Sequence, residues 1–177
     1  MSDQRNSTPR EASGKTGVPS PERLKPERPR DELGRPQSWD APNRLEMPDF
    51  DRNPLEENHR LGTRFFEEGR YFPAHEAWET AWKQARGTGD AEFFKGLSQL
   101  GAGYVHLLRG NRHGAFTLMR RAAGRIEKYP HGHHGIATTA LAGRALADAE
   151  AVERGELATG EAARVAPLPL RSPPSSA

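Results

Sequence analysis

Helical periodicity without strand-like alternation is the feature that most limits how this chain can fold. Between residues 55 and 154, apolar side chains recur at the three- and four-residue spacing of amphipathic helices. No segment there alternates apolar with polar residues as a half-buried strand would. The pattern predicts an all-α fold, a compact bundle of about five antiparallel helices with short connections.

Turn and cap residues set the predicted helix boundaries. The helices are expected at residues 55–68, 72–86, 91–109, 112–128 and 136–154. Asp90 and Asn111 suit N-caps because their short side chains can accept hydrogen bonds from the first helical N–H groups. On the third helix, Gly96 and Gly103 lie seven residues apart on one line, where a second helix could approach closely.

The segments on either side of the helical stretch have a different composition. Residues 55–166 contain 47 hydrophobic residues in 112, against 13 in the other 65, which also contain 13 of the 15 prolines. Such flanks cannot bury enough apolar surface to order themselves, although Trp39 or Phe50 could anchor the first one. The sequence predicts three parts: a disordered or irregular Pro- and Arg-rich tail (1–54), a helical bundle domain (55–155) and a C-terminal tail (156–177).

Charge and residue usage exclude several classes of protein. The net charge is only +2, so nucleic acid is not expected as a partner. The chain has no cysteine, so any metal must be held by histidine and carboxylate side chains. There is neither a secretory signal nor an apolar run of roughly eighteen residues, which predicts a cytoplasmic protein without a membrane span. The oligomeric state stays open.

Two ionisable side chains interrupt the aromatic face of the second helix. At about 100° per residue, His75 and Glu79 lie one turn apart, between the tryptophans and Phe72, whereas Glu76 lies toward the outside. If the second and third helices are antiparallel, Gln99 and His106 lie level with this pair. We therefore expect His75, Glu79, Gln99 and His106 to converge on one patch.

This patch has three interpretations that the sequence leaves open. It can be a buried hydrogen-bond network in which Glu79 fixes a histidine tautomer, or a pocket for a small polar ligand. It can also be a divalent-metal site, with His75, Glu79 and His106 holding Fe(II), Mn(II) or Zn(II) and Gln99 orienting a ligand. Trp78 and Trp82 could stack on a ligand, but two tryptophans four residues apart on the inner face of a helix are more often part of the core.

Two further groups of side chains are candidates for binding. The loop at residues 131–135 (HGHHG) is either a short metal-binding tract or a turn with solvated histidines. Arg121, Arg125 and Lys128 form a basic stripe on the fourth helix. That stripe could engage phosphates or an acidic partner, although exposed basic helix faces are common without one.

Several spaced motifs resemble one known family. Residues 68–82 (EGRYFPAHEAWETAW) are similar to the signature "G-x-Y-x-x-A-H-E-x-x-E-x-x-W" of the bacterial and plastid family called domain of unknown function 309. The resemblance continues through residues 94–100 (FKGLSQL), His106 and residues 109–111 (RGN). Residues 28–36 (RPRDELGRP) resemble a segment found before the domain in actinobacterial members.

The resemblance implies a small all-helical bundle and no particular activity. It carries over a candidate pocket composed of His75, Glu76, Glu79, Trp82, Gln99 and His106. Our first hypothesis is a helical protein whose polar cluster is structural or binds a small polar ligand. The alternatives are a metal-dependent hydrolase or oxygenase and an interaction module using the basic stripe, so whether the protein is an enzyme stays open.

Overall fold

The computed structural model describes residues 27–171 and confirms the all-α prediction. No strand occurs in this part of the chain, and its helices are α1 (Leu55–Glu67), α2 (Tyr71–Gln84), α3 (Ala91–Leu108), α4 (Arg112–Ile126) and α5 (Thr138–Arg154). Each helix packs chiefly against the next one along the chain. None of these helices is long and apolar enough to cross a membrane.

The helix boundaries lie within two residues of those predicted. Helices α2 and α4 each end two residues earlier than predicted, and α5 begins two residues later, at Thr138 rather than Ile136. Ile136 is extended, with φ −93° and ψ 134°, and pairs with Arg171 in an isolated antiparallel bridge. The backbone before α5 is therefore used to bind the C-terminal segment instead of adding a helical turn.

Aromatic side chains fill the centre of the bundle. Trp78 of α2 and both Phe93 and Tyr104 of α3 are fully buried, which supports the core interpretation of Trp78. The glycines predicted to allow close helix packing do meet another helix, α4. A Cβ atom added to Gly103 would lie 2.8 Å from Met119, so α3 and α4 approach as closely as they do only because that atom is absent.

The described parts of both flanking segments are irregular, yet they lie on the bundle. Phe50 is 7% exposed and its carbonyl accepts a hydrogen bond from Asn58 Nδ2 at 3.0 Å, whereas Trp39 remains 63% exposed. At the other end, Leu170 is buried and its carbonyl accepts a hydrogen bond from the Ala137 N–H. A few apolar anchors and backbone hydrogen bonds thus attach segments that composition alone assigned to tails; residues 1–26 and 172–177 lie outside the described range.

Candidate functional site

His75 projects from α2 against α3, and the contact fixes its tautomer. Its Nδ1 atom lies 3.0 Å from the carbonyl oxygen of Ser98 and 3.0 Å from the Ser98 hydroxyl. A carbonyl can only accept a hydrogen bond, so Nδ1 carries the proton and donates it. The lone pair of a neutral His75 ring is consequently on Nε2.

Two carboxylates face that Nε2 atom. Glu79 Oε2 lies 3.4 Å and Glu76 Oε1 3.6 Å from it, and the three side chains offer ligand atoms that all lie within 4.8 Å of one another. The side chains of His75, Glu76 and Glu79 are 23%, 38% and 31% exposed. This group, the His75 cluster, is therefore a half-buried surface site on one helix.

One end of the His75 cluster is anchored by a lysine. Lys83 Nζ lies 2.7 Å from Glu79 Oε1, and this hydrogen bond lowers the pKa of the Glu79 carboxyl more than partial burial raises it. A protonated His75 ring would lower the same pKa further. Glu79 is thus held ionised, with Oε2 turned to His75.

A missing side chain on α3 allows the cluster to sit so close to that helix. Gly101 lies against the backbone of His75, and a Cβ atom at this position would be 3.0 Å from the His75 nitrogen and 3.1 Å from its Cα. Because few real Cβ contacts are that short, any other residue at position 101 would force α2 and α3 apart by a few tenths of an ångström at the point where His75 reaches the Ser98 carbonyl.

His106 makes its hydrogen bond elsewhere. Asn111 Nδ2 donates to its Nδ1 at 2.8 Å, while Asn111 Oδ1 caps α4 by accepting from the Gly114 N–H. Partial burial lowers the pKa of His106, and the charges on Arg109 and His75 lower it further. These effects favour the neutral form of His106, which is not one of the three side chains whose potential ligand atoms lie within 4.8 Å of one another.

Gln99 and Trp82 complete the predicted pocket, but neither joins the cluster by a hydrogen bond. Gln99 Oε1 is buried and has no hydrogen-bond partner in the described part of the chain. The Trp82 ring is partly buried, with Lys95 Nζ 5.0 Å and the Arg86 guanidinium carbon 5.6 Å from its centre. Its ring is therefore engaged by cationic side chains of the protein itself.

The structure thus brings His75, Glu76 and Glu79 together and leaves Gln99 and His106 beside them. Glu76 reaches Nε2 of its neighbour although helical geometry places it toward the outside, because its side chain is long and flexible. Helical periodicity places Gln99 and His106 on the face of α3 that meets α2, but it does not specify where their side chains point. Their predicted convergence with His75 and Glu79 depended on that direction. Their role as ligands or pocket residues stays a prediction.

The basic stripe on α4 is partly neutralised. Arg125 Nε forms an ion pair with Glu92 Oε2 at 2.9 Å, whereas Arg121 is exposed on α4 and Lys128 is exposed beyond the end of that helix. One of the three predicted cations is therefore occupied by an acidic side chain of α3, which weakens the stripe as a phosphate-binding surface.

The structure contains a second group of potential metal ligands that the sequence did not predict. Asp90, His133 and His134 also offer ligand atoms that all lie within 4.8 Å of one another. The sequence pointed to Asp90 only as an N-cap and to the two histidines only as a tract of their own. The order of the helices could have predicted that Asp90 lies near the two histidines, since the α2–α3 and α4–α5 connections of an up-and-down bundle lie at the same end.

Comparison with known proteins returns one family and no further relative. No curated protein and no solved structure matches the chain. A family model matches residues 60–118, about a third of the chain, a range that includes all six residues of the predicted pocket. Over that range the chain is similar to the family described as "Domain of unknown function (DUF309)", and this confirms the predicted resemblance.

Proposed function

We propose that this protein binds a divalent transition-metal ion, of the Zn(II) or Fe(II) type, through the His75 cluster. The observation that carries the proposal is the arrangement around Nε2 of His75: a nitrogen lone pair and two carboxylate oxygens face one another at 3.4 and 3.6 Å. Three electron-rich atoms at such distances repel one another unless a proton or a metal cation lies between them.

The contact behind the ring is the one that a metal-binding histidine uses. Histidines that bind metals usually donate their other ring N–H to a backbone carbonyl or carboxylate, which fixes the tautomer and aims the free nitrogen at the ion. His75 does this with the Ser98 carbonyl at 3.0 Å. One nitrogen and two carboxylate oxygens form a set suited to Zn(II), Mn(II) or Fe(II).

Binding is a better-supported function than catalysis. A hydrolase or oxygenase would need room for substrate next to the ion. A cavity of about 450 Å³ lies between the N-terminal segment and the start of α2, and its walls include Leu45, Tyr71 and Pro73 rather than His75. The half-exposed cluster would leave coordination positions for water, and a reaction there is the alternative that turnover assays would reveal.

The structural interpretation makes a different prediction for the same residues. If His75 serves only to tie α2 to Ser98 of α3, replacing it lowers stability and changes no metal affinity. Ring-nitrogen NMR of the tag-free full-length chain separates the two cases. Without metal, His75 should show the Nδ1–H tautomer; on addition of Zn(II), its Nε2 resonance should shift.

Titration calorimetry with Zn(II) provides the matched comparison. Glu76→Gln and Glu79→Gln should each weaken binding at this site by roughly tenfold or more, because each replaces a charged ligand with a neutral amide. Glu127→Gln removes an exposed carboxylate just beyond the end of α4 and should change nothing. A His75 Nε2 resonance that stays in place at saturating Zn(II) would refute the proposal.

A further inference from the structure

Two separate connections of the bundle bring three potential ligands together. Asp90 precedes α3, and His133 and His134 lie in the connection between α4 and α5. His133 Nε2 is 2.8 Å from Asp90 Oδ1, and His134 Nε2 is 3.0 Å from Asp90 Oδ2. Both oxygens of one carboxylate are therefore directed at the same kind of ring nitrogen.

The carboxylate of Asp90 makes no capping hydrogen bond. Aspartate at an N-cap usually accepts a hydrogen bond from an N–H group in the first turn of the helix. Asp90 occupies the N-cap of α3, yet no such side-chain bond is formed. Its side chain instead points to the two histidines, and the hydrogen bond from His134 lowers the pKa of its carboxyl.

Aromatic packing holds both imidazole rings in place. The His133 ring stacks on Tyr129 with centroids 4.8 Å apart and meets the edge of Phe93 at 4.7 Å. The His134 ring stacks on Phe93 at 5.6 Å. The His133 and His134 side chains are 24% and 30% exposed, so both rings are largely covered although the His134 residue as a whole is exposed. Rings oriented by packing lose little freedom on binding a ligand.

The backbone at His134 is also held by a chain of hydrogen bonds from the core. His134 has φ 47° and ψ 32°, the left-handed conformation that residues other than glycine rarely adopt. His59 Nε2–H donates to the His134 carbonyl at 2.9 Å, and Trp78 Nε1–H donates to His59 Nδ1 at 3.2 Å. An uncommon backbone conformation supported from a fully buried tryptophan is typical of a functional site.

We propose that Asp90, His133 and His134 form a second metal site, which binds a divalent ion of the Zn(II) class. Bonds of about 2.0–2.1 Å to a tetrahedral ion place two ligand atoms roughly 3.3 Å apart. The N···O distances of 2.8 and 3.0 Å are already close to that separation. A small adjustment of the rings would admit the ion, with water as a further ligand.

Metal binding exchanges two hydrogen bonds for coordinate bonds. Each histidine gives up the proton on Nε2, whose lone pair then binds the ion. In a neutral ring, the proton lost from Nε2 is replaced by one on Nδ1, so no net proton is released. A doubly protonated ring keeps its Nδ1 proton and releases the Nε2 proton to the solvent. Asp90 stays ionised and contributes an oxygen, so the ion is held by two neutral nitrogens and one negative charge.

The test uses the full-length, tag-free His75→Ala protein, so that the first site is removed. Zn(II) should still bind at one ion per chain, and the ring-nitrogen resonances of His133 and His134 should shift on titration. Asp90→Asn and His133→Ala in this background should weaken binding at least tenfold. His113→Ala, at the far end of α4 and exposed, should leave the affinity unchanged.

Failure of this site is distinguishable from failure of the first. Unshifted His133 and His134 resonances at saturating Zn(II) overturn the inference, whatever His75 does in the wild-type chain. Residual binding that survives both Asp90→Asn and His133→Ala also overturns it. Because the NMR measurement needs no substitution at the second site, a variant that unfolds does not prevent a decision.

Discussion

At the scale of single residues, the helix contact behind His75 determines what its imidazole can do. The Ser98 carbonyl selects the tautomer, and Gly101 allows the two helices to approach closely enough for that hydrogen bond to form. A methyl group at position 101 would push α2 away from α3 and lengthen the contact with Ser98. Gly101 therefore links backbone packing to the chemistry of the His75 cluster.

Alanine substitutions at two glycines should have opposite effects on stability. Gly101→Ala places a Cβ atom 3.0 Å from the His75 nitrogen, and this overpacking should cost more than alanine's higher helix propensity contributes, leaving a net loss of about 1 kcal/mol. Gly143 of α5 is exposed with no atom near its would-be Cβ, so Gly143→Ala should gain about 0.5–1 kcal/mol. Urea unfolding measures both; equal gains would show that α2 and α3 tolerate separation.

At the scale of residues, the sequence predicts which face of a helix a side chain occupies but not its rotamer. Helical periodicity was sufficient to predict the burial of Trp78, and the i,i+4 spacing of His75 and Glu79 predicted their contact. It could not predict that His106 pairs with Asn111, because that depends on one amide rotamer at the start of α4. The position of a residue on a helix face is encoded by spacing; its hydrogen-bond partner is not.

At the scale of elements, the helices could be predicted closely and the flanking segments could not. Glycine correctly marked the end of the last helix. Gly155 follows α5 in the left-handed conformation, which glycine adopts without steric cost because it has no Cβ atom. The segment before α1 gave no periodic signal, since it attaches through isolated anchors. Leu45 and Phe50 are buried there, and the only helical residues near them within residues 27–54 form one short 3-10 turn, Phe50–Arg52.

A matched pair of aromatic substitutions tests how that N-terminal segment is attached. Phe50 packs edge-on against Phe65 of α1, with ring centroids 6.4 Å apart, so Phe50→Ala should cost about 3 kcal/mol through lost burial and a cavity. Trp39 is 63% exposed, and Trp39→Ala should change stability by less than about 0.5 kcal/mol. Chemical denaturation gives both values; similar losses would mean that both aromatics anchor the segment.

The group formed by Asp90, His133 and His134 could not be predicted from the individual helices and loops. Asp90 and His133 are 43 residues apart, and each is an ordinary residue for its local context. Only the alternation of helix direction places their loops at the same end of the bundle. Local patterns predict elements, whereas this cluster is a product of topology.

At the scale of the whole molecule, the core contains ionisable groups that must stay uncharged. Tyr104 is fully buried and its hydroxyl donates to Asp148 Oδ2 at 2.7 Å, while Arg144 pairs with the other oxygen of Asp148 at 2.8 Å. Tyr71 stacks on Tyr104 with ring centroids 5.0 Å apart. Burial, reinforced by the charge on Asp148, raises the pKa of Tyr104 well above its usual value. The fold is thus linked to the protonated state of its tyrosines.

Alkaline solution should therefore weaken the fold in a specific pH window. Burial, followed by the charge on Asp148, raises the pKa of Tyr71 from 10.0 to about 12. Below pH 10 the hydroxyl is protonated in both states, so its contribution to stability is fully present there. Between pH 10 and 12 the unfolded chain loses the proton and the folded chain keeps it, so the free energy of unfolding falls by about 1.4 kcal/mol per pH unit for this tyrosine.

Tyr71→Phe isolates this contribution from lysine and arginine titration in the same range. The Tyr71 hydroxyl forms no hydrogen bond within residues 27–171, so the phenylalanine ring should preserve the packing on Tyr104 and nearly the same stability at pH 7. Urea unfolding at pH 8, 10 and 11 should give a shallower decline for the variant, by about one proton per chain. Parallel declines in the two proteins would mean that Tyr71 ionises as readily in the folded bundle as in the unfolded chain, and that the aromatic core is accessible to water at that point.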